Sequence, residues 1–307
     1  MRDMANTTRR RFLATAAAAG AAPMILPNRL FGAQAPSKVL RVASIGTGRM
    51  GLGDMQNAMR AGLKEDAAAR VVAVCDVDSK RAAGARERVE KFYQERDQPG
   101  AEVKTYGDYR QLLECDDIDA VTISTPDHWH AHIAVAAAKA GKHIYIQKPL
   151  TYSVSEGQAL VKAVRDHKVV LQTGSQQRSS IYFRQVCTIA RNNWIGKIKE
   201  VEVQIPTDRG AGVATPMEVP ANLNYDLWLG PAPVEAYTEH RVHPQGRYGR
   251  PGWLQIERYC RGMITGWGAH MYDVAQWGLG ADVDSGPVEV RAKGCLLYTS
   301  PSPRDWI

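Results

Sequence analysis

This 307-residue sequence has little of what marks a metal centre, a membrane span or a nucleic-acid interface. Its five cysteines form no C-x-x-C pair, so a cysteine metal site is not indicated and disulfides are not required. The apolar stretch near the N-terminus is short and is interrupted by Gly20 and Pro23, so we expect no stable membrane insertion. The basic residues form no stripe with interleaved aromatics, and we expect no nucleic-acid binding.

What remains is the composition of a globular protein, 44% hydrophobic and 23% charged, in a chain long enough for two domains. The sequence contains no internal repeat and no low-complexity linker. The formal net charge of +7 is unevenly placed, because residues 1–35 hold five arginines against one aspartate. The rest of the chain is therefore only mildly basic.

Residues 1–35 have the features of an export signal. Arg9 and Arg10 form a twin-arginine pair followed by F-L, and an alanine-rich stretch leads to A-Q-A at positions 33–35, which fits a cleavage site. We expect a twin-arginine signal peptide over 1–35 and a mature chain that begins near Pro36. Its partner would be the twin-arginine export machinery, and its destination the periplasm.

The other end of the chain looks foreign to the protein. Residues 295–305, CLLYTSPSPRD, match the translation of a sequencing-library adapter and follow abruptly on a strand-like run at 288–292. The alternative is a natural tail rich in proline and serine. We expect residues 295–307 to contribute nothing to the fold, and the natural protein to continue beyond Gly294 with other residues.

The strongest local motif is VLRVASIGTGRMG at residues 39–51, an apolar run that ends in G-x-G-x-x-G. Gly46 allows the tight turn from strand to helix, Gly48 allows backbone to approach a pyrophosphate, and Gly51 allows close packing of helix on strand. The following helix offers free N–H groups to phosphate. A second apolar run ends at Asp76, which is placed to accept hydrogen bonds from an adenosine ribose. The alternative is a glycine-rich turn in an unrelated α/β domain.

Beyond this motif, strand-like and helix-like segments alternate, which predicts a doubly wound parallel sheet of the Rossmann type. We expect strands at 39–45, 71–75, 120–124, 143–147 and 169–173. We expect helices at 54–69, 81–95, 131–140 and 155–167, and a further one that starts over 105–108.

Several segments together resemble the glucose–fructose oxidoreductase/inositol dehydrogenase/MocA (Gfo/Idh/MocA) family of oxidoreductases. They are the GTGRMG loop, CDVD, STPDHWHAHIAVAAAKAGKHIYIQKPL, QTGSQQR, NYDLWLGPAP and GWGAHMYDVAQWGLG, and the resemblance covers nearly all of residues 38–294. It implies an NAD(P)-binding Rossmann domain over 36–177. A substrate and oligomerisation α/β domain would follow over 178–294, built on a large, mostly antiparallel open sheet that is incomplete here. Residues 198–205 would form an early strand of that sheet.

The resemblance also assigns candidate catalytic residues. Lys148, in Gln147-Lys148-Pro149, corresponds to the family lysine that lies beside nicotinamide and substrate. Many relatives have Glu-Lys-Pro at these positions. The peptide bond to this proline is often cis in the family. From the sequence alone, a solvated lysine at a strand end fits equally well. His270 would exchange the hydroxyl proton, a role that suits imidazole at neutral pH, although a core histidine at a helix start is the alternative. Asp273 lies three residues further on the same helical face and would either hold the imidazole or help to bind sugar. Many relatives carry an aspartate four residues before the histidine, where this chain has Gly266.

The predicted cofactor is NAD. A carboxylate at Asp76 would repel the 2′-phosphate of NADP, but NADP stays open because Lys80 and Arg81 are close by. The residues that we expect to contact the cofactor are Gly46, Thr47, Gly48, Arg49, Met50, Gly51, Asp76, Thr125, Pro126, His130, Gln147 and Lys148.

Two further patterns have alternative interpretations. His128, His130 and His132 look like a metal cluster, but at this spacing they do not share one helical face, so packing beside the cofactor is the better interpretation and no metal is predicted. Trp228 and Trp253 could stack on a sugar or belong to a core, and for Trp228 we favour the core.

The sequence therefore predicts an NAD(P)-dependent oxidoreductase that acts on a sugar, cyclitol or glycoside. One form of this hypothesis is a redox-neutral, glycosidase-like enzyme that keeps its cofactor. The alternative is a non-catalytic protein that binds nucleotide or sugar on the same fold, which the loss at Gly266 favours. The resemblance also implies a homo-oligomer for the full-length protein.

Overall fold

The computed structural model describes residues 39–64, 68–98, 102–206, 214–281, 286–287 and 289–291. The predicted signal peptide over 1–35 and the predicted foreign tail over 295–307 lie outside these ranges, as does part of the strand-like run at 288–292.

Six parallel strands form one sheet in the order β3-β2-β1-β4-β5-β6, which is the Rossmann arrangement. The strands are β1 (Leu40–Ile45), β2 (Ala69–Cys75), β3 (Lys104–Tyr106), β4 (Ala120–Ile123), β5 (His143–Gln147) and β6 (Leu171–Gly174). The inner strands are apolar runs that are buried on both faces, as expected where helices cover both sides of a parallel sheet. The strand order reverses between β1 and β4, and a crevice opens there at the carboxyl ends of the strands.

The helices that alternate with these strands are α1 (Arg49–Ala61), α2 (Ser79–Gln94), α3 (Tyr109–Leu113), α4 (Asp127–Lys139) and α5 (Val154–Asp166). Their starts follow local capping chemistry. The Asp78 carboxylate accepts hydrogen bonds from the N–H groups of Lys80 and Arg81 at the start of α2. Ser153 and Glu156 form a reciprocal capping box at the start of α5.

One expected helix start was wrong. Thr105 and Tyr106 belong to β3, because their backbone pairs in parallel with Val74 and Cys75 of β2. The helix begins only at Tyr109, after Asp108 has capped it through the Arg110 N–H. No local pattern indicates this three-residue edge strand, since its formation depends on a partner far away in the chain.

After Gly174 the described residues are helical or irregular. The helices are α6 (Ile181–Arg191), α7 (Tyr225–Leu229), α8 (Glu239–Val242), α9 (Gly262–Gly266) and α10 (Gly268–Leu279), and short 3₁₀ turns cover Gln176–Ser179 and Gly252–Gln255. The strand predicted at 198–205 is not formed. A strand needs a neighbour to pair with, and no described segment pairs with these residues. Within the described ranges, no helix combines the length and the apolar character needed to cross a membrane.

The core has three clusters of buried apolar side chains. Two of them involve the strands and helices of the Rossmann sheet. The third joins α7 to the segments around it, and its buried members are Leu223, Tyr225, Trp228, Leu229, Tyr237, Val242 and Tyr259. Trp228 is 4% exposed and its ring contacts those of Tyr225 and Tyr259. The core interpretation of Trp228 is therefore confirmed.

Candidate functional site

The crevice at the carboxyl edge of the sheet is a cavity of about 470 Å³, lined by residues of the Rossmann sheet and of the segment 227–270. The glycine-rich loop, Asp76, Gln147, Lys148 and His270 all contribute to its wall. Residues predicted separately from three parts of the sequence therefore meet in one cavity.

The three glycines of the loop stand in different surroundings. Gly46 has φ +82°, and a Cβ there would come within 2.8 Å of the Ser124 backbone. A Cβ on Gly51 would overlap the Gly46 carbonyl oxygen, so this position serves helix–strand packing, as predicted. A Cβ on Gly48 would meet no described atom closer than 3.7 Å, at Arg81 Nη1, and Gly48 lines the cavity. Space for a phosphate therefore exists at Gly48.

The loop is tied to the end of β2 through Asp76. Its Oδ2 accepts hydrogen bonds from Thr47 N at 2.7 Å and Thr47 Oγ1 at 3.0 Å, and its Oδ1 accepts one from Asp78 N at 2.9 Å. Asp76 lines the cavity, as do Arg49 and Met50. Thr47 is fully buried and does not line it. The prediction that Thr47 contacts cofactor is therefore revised, because its side chain holds Asp76 in place.

Arg81 lies beside Gly48, but its guanidinium is already engaged. Nη2 donates to the Pro244 carbonyl at 3.0 Å, and the guanidinium carbon lies 4.7 Å from the centre of the Tyr248 ring. This geometry weakens the argument that Arg81 would hold a 2′-phosphate.

Thr125 and Pro126, between β4 and α4, line the cavity as predicted. Thr125 Oγ1 is buried without a hydrogen-bond partner among the described residues. An orphaned hydroxyl and an open glycine position in one cavity suit a polar ligand with a pyrophosphate, so the residues present fit NAD.

His130 does not line the cavity. It is 1% exposed, with Nδ1 2.7 Å from the Pro149 carbonyl oxygen and Nε2 3.0 Å from that of Thr125. Burial lowers its pKa to about 4, so at neutral pH the ring is neutral and donates only one hydrogen bond at a time. The predicted cofactor contact is corrected, because His130 instead braces two loops that do line the cavity.

His128 is also buried against a backbone carbonyl, with its Nε2 3.1 Å from the Trp228 carbonyl oxygen. Burial lowers its pKa to about 4. Across the described parts of the chain, no group of three or more His, Cys, Asp or Glu side chains could hold a metal ion.

Lys148 follows β5 and is joined to Pro149 by a cis peptide bond, as the family resemblance implied. Its Nζ donates to the carbonyl oxygen of Gly266 at 3.2 Å. Burial lowers the pKa of the Lys148 ammonium, and the nearby Asp127 carboxyl opposes that shift. Lys148 is therefore a partly desolvated cation inside the cavity and not a solvated lysine at a strand end.

His270 lies in the first turn of α10 and is 8% exposed. Its Nδ1 is buried and finds no hydrogen-bond partner among the described residues. Burial and the charge of Lys148 lower its pKa, while Asp273 raises it. The ring is consequently neutral at pH 7 and can accept a proton.

Asp273 is held by another residue. Its two carboxylate oxygens accept hydrogen bonds from Arg178 Nε and Nη2, both at 2.8 Å, and it is not part of the cavity wall. The catalytic role predicted for Asp273 therefore does not fit its position. It acts on His270 only through its charge.

Gln147 is explained by a residue that the sequence analysis missed. Asp54 of α1 is 6% exposed, and its Oδ2 accepts hydrogen bonds from Gln147 Nε2 and from Ser124 Oγ, both at 2.7 Å. Burial raises the pKa of Asp54, and these hydrogen bonds oppose the shift. Because the amide nitrogen of Gln147 faces Asp54, its oxygen is the atom left for the cavity.

Fold and cavity together define a dinucleotide-binding Rossmann protein. Two family models match the chain, an oxidoreductase family NAD-binding Rossmann fold over residues 40–175 and an oxidoreductase family C-terminal alpha/beta domain over residues 206–296. Both models are those of Gfo/Idh/MocA, and together they cover most of the chain. The protein belongs to the Gfo/Idh/MocA oxidoreductase family and carries its NAD-binding domain and its second domain.

Curated relatives agree with this assignment. The uncharacterized oxidoreductase YrbE of Bacillus subtilis is 29% identical over 190 residues, which cover 62% of this chain and 42% of YrbE. Myo-inositol 2-dehydrogenase of Thermotoga maritima is 30% identical over 158 residues, 52% of this chain and 42% of its own. Glycosyl hydrolase family 109 protein 2 of Shewanella sp. (strain ANA-3) is 33% identical over 140 residues, 45% of this chain and 29% of its own. The chain thus spans less than half the length of these relatives.

Solved structures show the same fold. An oxidoreductase domain protein from Kribbella flavida superposes with a TM-score of 0.56 at 22% identity, covering 79% of this chain and 54% of that one. An NAD-binding protein from Listeria innocua gives a TM-score of 0.54 at 19% identity, covering 77% and 52%. At these identities the likeness concerns the fold alone.

Proposed function

We propose that the protein is an NAD-dependent oxidoreductase that acts on a ring hydroxyl of a sugar, cyclitol or glycoside. The observation that carries the proposal is that Lys148 and His270 line the same cavity as the glycine-rich loop. Among the relatives, a myo-inositol dehydrogenase and a family 109 glycosyl hydrolase both have carbohydrate or cyclitol names, which supports this substrate class.

The side chains suit such a reaction. Bound NAD would supply the hydride acceptor, held by Gly48, Asp76 and Thr125 on one side and by the Gln147 oxygen on the other. Lys148 would donate a hydrogen bond to the reacting oxygen and stabilise negative charge that builds on it. His270, neutral at pH 7, would accept a hydrogen bond from the same hydroxyl.

Within this class we propose a redox-neutral reaction. The substrate is oxidised at a ring hydroxyl, loses its glycosidic group by elimination, gains water and is reduced again. The twin-arginine signal expected over residues 1–35 would support this version, because that pathway carries folded proteins and would allow the cofactor to be loaded before export. In the periplasm no pool of NAD would be at hand to exchange with, and an enzyme that released NADH would stop after one cycle.

The test is a glycoside deuterated at the oxidised carbon, incubated with the purified full chain without added NAD. Multiple turnovers with the label returned to that carbon would support the redox-neutral scheme. A strict requirement for added NAD, with accumulation of free NADH, would contradict it and leave an ordinary dehydrogenase.

The second candidate is a non-catalytic protein that binds nucleotide and sugar, and Gly266 favours it because the usual acid is missing there. This candidate predicts NAD binding by calorimetry together with no turnover of any sugar, cyclitol or glycoside. Turnover by the wild-type protein separates the two, and the His270→Asn variant should lower that turnover while leaving NAD binding unchanged.

A further inference from the structure

The cavity lacks an acidic side chain where many relatives carry one. Position 266 is glycine. Among the described residues, Lys148 Nζ donates its hydrogen bond to the Gly266 carbonyl oxygen, at 3.2 Å. A backbone carbonyl can accept a hydrogen bond from the lysine, but it cannot exchange a proton with a substrate. Any acid–base carboxyl of this site must therefore come from another element.

Asp127 is a carboxyl that belongs to the wall of the same cavity. It is the first residue of the 13-residue helix α4, follows Pro126 directly and is 4% exposed. It lines the cavity together with Lys148, Gly266 and His270. No local pattern points to Asp127 as a site residue, because its approach to Lys148 depends on how β4 and β5 pair.

The Asp127 carboxylate is not used in holding the fold together. Among the described residues, the backbone N–H that lowers its pKa is its own. A buried carboxyl is normally paired or bonded by several donors, as Asp54 and Asp78 are. A carboxyl nine-tenths buried, without such donors and open to a cavity, is placed for a ligand.

We propose that Asp127 is the base that takes the proton from the reacting hydroxyl of the substrate, while Lys148 holds the same oxygen. This inference rests on the proposed oxidoreductase function. In this step the substrate O–H bond breaks, its proton goes to an Asp127 carboxylate oxygen, and its electron pair forms the carbonyl. The hydride from the carbon reduces NAD. His270 then acts as a hydrogen-bonding partner of the substrate and not as its first proton acceptor.

The pKa values of Asp127 and His270 agree with these roles. Burial raises the pKa of Asp127 to about 7, although Lys148 opposes the shift, whereas the pKa of His270 lies below the usual value for histidine. Asp127 is thus the stronger base of the two and is matched to neutral pH. The titratable and charged groups on the elements around Asp127 are His128, His130, Lys148, Arg250, Cys260 and His270, and of these only Lys148 acts on it directly.

The pH dependence of kcat/KM distinguishes the two bases. A base must be deprotonated to act, so wild-type activity should rise with pH through about 7, the pKa of Asp127. Asp127→Asn should lower kcat roughly 10²–10⁴-fold and abolish this limb, as expected for loss of a general base. Asp127→Glu should restore part of the rate, and its kcat/KM should again rise with pH. Asp226→Asn removes an exposed acid from the first turn of α7 and is the matched control, expected to behave as wild type.

Two measurements keep the result interpretable. NAD affinity by calorimetry should be unchanged within about threefold in Asp127→Asn, which shows that the variant is folded. If Asp127→Asn keeps the wild-type rate and pH limb, the proposal is overturned and His270 becomes the base. If wild-type protein binds NAD but turns over no sugar, cyclitol or glycoside, the proposed function itself fails, and the role of Asp127 fails with it.

Discussion

At the scale of single residues, the glycine-rich loop separates cofactor binding from folding. Gly48→Val should lower NAD affinity sharply, because its side chain would enter the space left for phosphate, where the nearest described atom is 3.7 Å from a Cβ. Its melting temperature should change little. Gly51→Ala should do the reverse, since its Cβ would overlap the Gly46 carbonyl oxygen and force helix and strand apart. Calorimetry and thermal unfolding of both variants are the measurement, and equal NAD affinity in Gly48→Val and wild type would contradict the assignment.

A second prediction concerns Gln147. Restoring the glutamate of many relatives, by Gln147→Glu, would place two carboxyl groups within hydrogen-bond distance in a buried site, because Asp54 accepts from this side chain at 2.7 Å. We expect a loss of roughly 1–3 kcal/mol in unfolding free energy at neutral pH, the usual cost of an unsatisfied buried polar group. The pair would share a proton at low pH, so the loss should grow as pH rises.

The double variant Asp54→Asn/Gln147→Glu is the control for this prediction. It reverses donor and acceptor and should recover most of the stability, which a double-mutant cycle in urea reports as a coupling energy. Additive effects of the two substitutions would show that the residues do not act as a pair.

At the scale of elements, Asp78 joins the start of α2 to the second half of the chain. It is 1% exposed, and its carboxylate accepts hydrogen bonds from Asn222 Nδ2 at 2.8 Å and His243 Nε2 at 2.9 Å. Burial alone would raise the pKa of Asp78, but the hydrogen bonds from His243 and Asn222 outweigh it and hold the pKa well below its usual range. This one side chain therefore caps a helix and connects it to two distant segments.

Asp78→Asn should lower the unfolding free energy by about 3 kcal/mol at pH 7, as expected when one partner of a buried pair is removed. Because the folded-state pKa is depressed, the stabilisation is present above the unfolded pKa of about 3.9 and is lost as pH falls below it. The difference in unfolding free energy between wild type and variant should thus become smaller below about pH 4. Asp108→Asn, at the cap of α3, is a matched control that should cost little, because asparagine caps a helix about as well as aspartate. An equal cost for both variants would show that Asp78 is a cap and nothing more.

The elements also show what the sequence could and could not predict. The strand at His143–Gln147 has the predicted bounds because the residues Ile144, Tyr145 and Ile146 at its centre form an apolar run that marks it locally. The strand at Lys104–Tyr106 was missed, since its own residues are partly exposed and only pairing with β2 makes it a strand. Local pattern therefore suffices for central strands and fails at the edge of the sheet.

The same division holds for the site. The glycine-rich motif predicted the loop, and the end of the second apolar run predicted Asp76. The roles of Lys148 and His270 came from the family resemblance. His130 was placed against the cofactor, and the fold instead turns it toward two backbone carbonyls. Asp54 and Asp127 were missed because their meaning depends on partners more than twenty residues away, which no local pattern encodes.

At the scale of the whole molecule, export is the open question that a variant can answer. If residues 1–35 are a twin-arginine signal, wild-type protein expressed in a bacterium with this pathway should be recovered from the periplasm with NAD bound. Arg9→Lys/Arg10→Lys should leave it in the cytoplasm, because the pathway reads the arginine pair. Cell fractionation with a cytoplasmic marker protein as the control is the measurement, and equal export of both forms would remove the assignment.

The tryptophans in the wall of the cavity make reduction of a bound cofactor visible by fluorescence. Four indole rings belong to it, those of Trp129, Trp228, Trp253 and Trp267. Their fluorescence emission overlaps the absorption of reduced nicotinamide but not that of the oxidised form, so a bound cofactor would quench them only after it has accepted a hydride. The protein thus carries its own donor dyes for energy transfer. A single stopped-flow trace, without any label, would follow the redox state of its cofactor through a turnover.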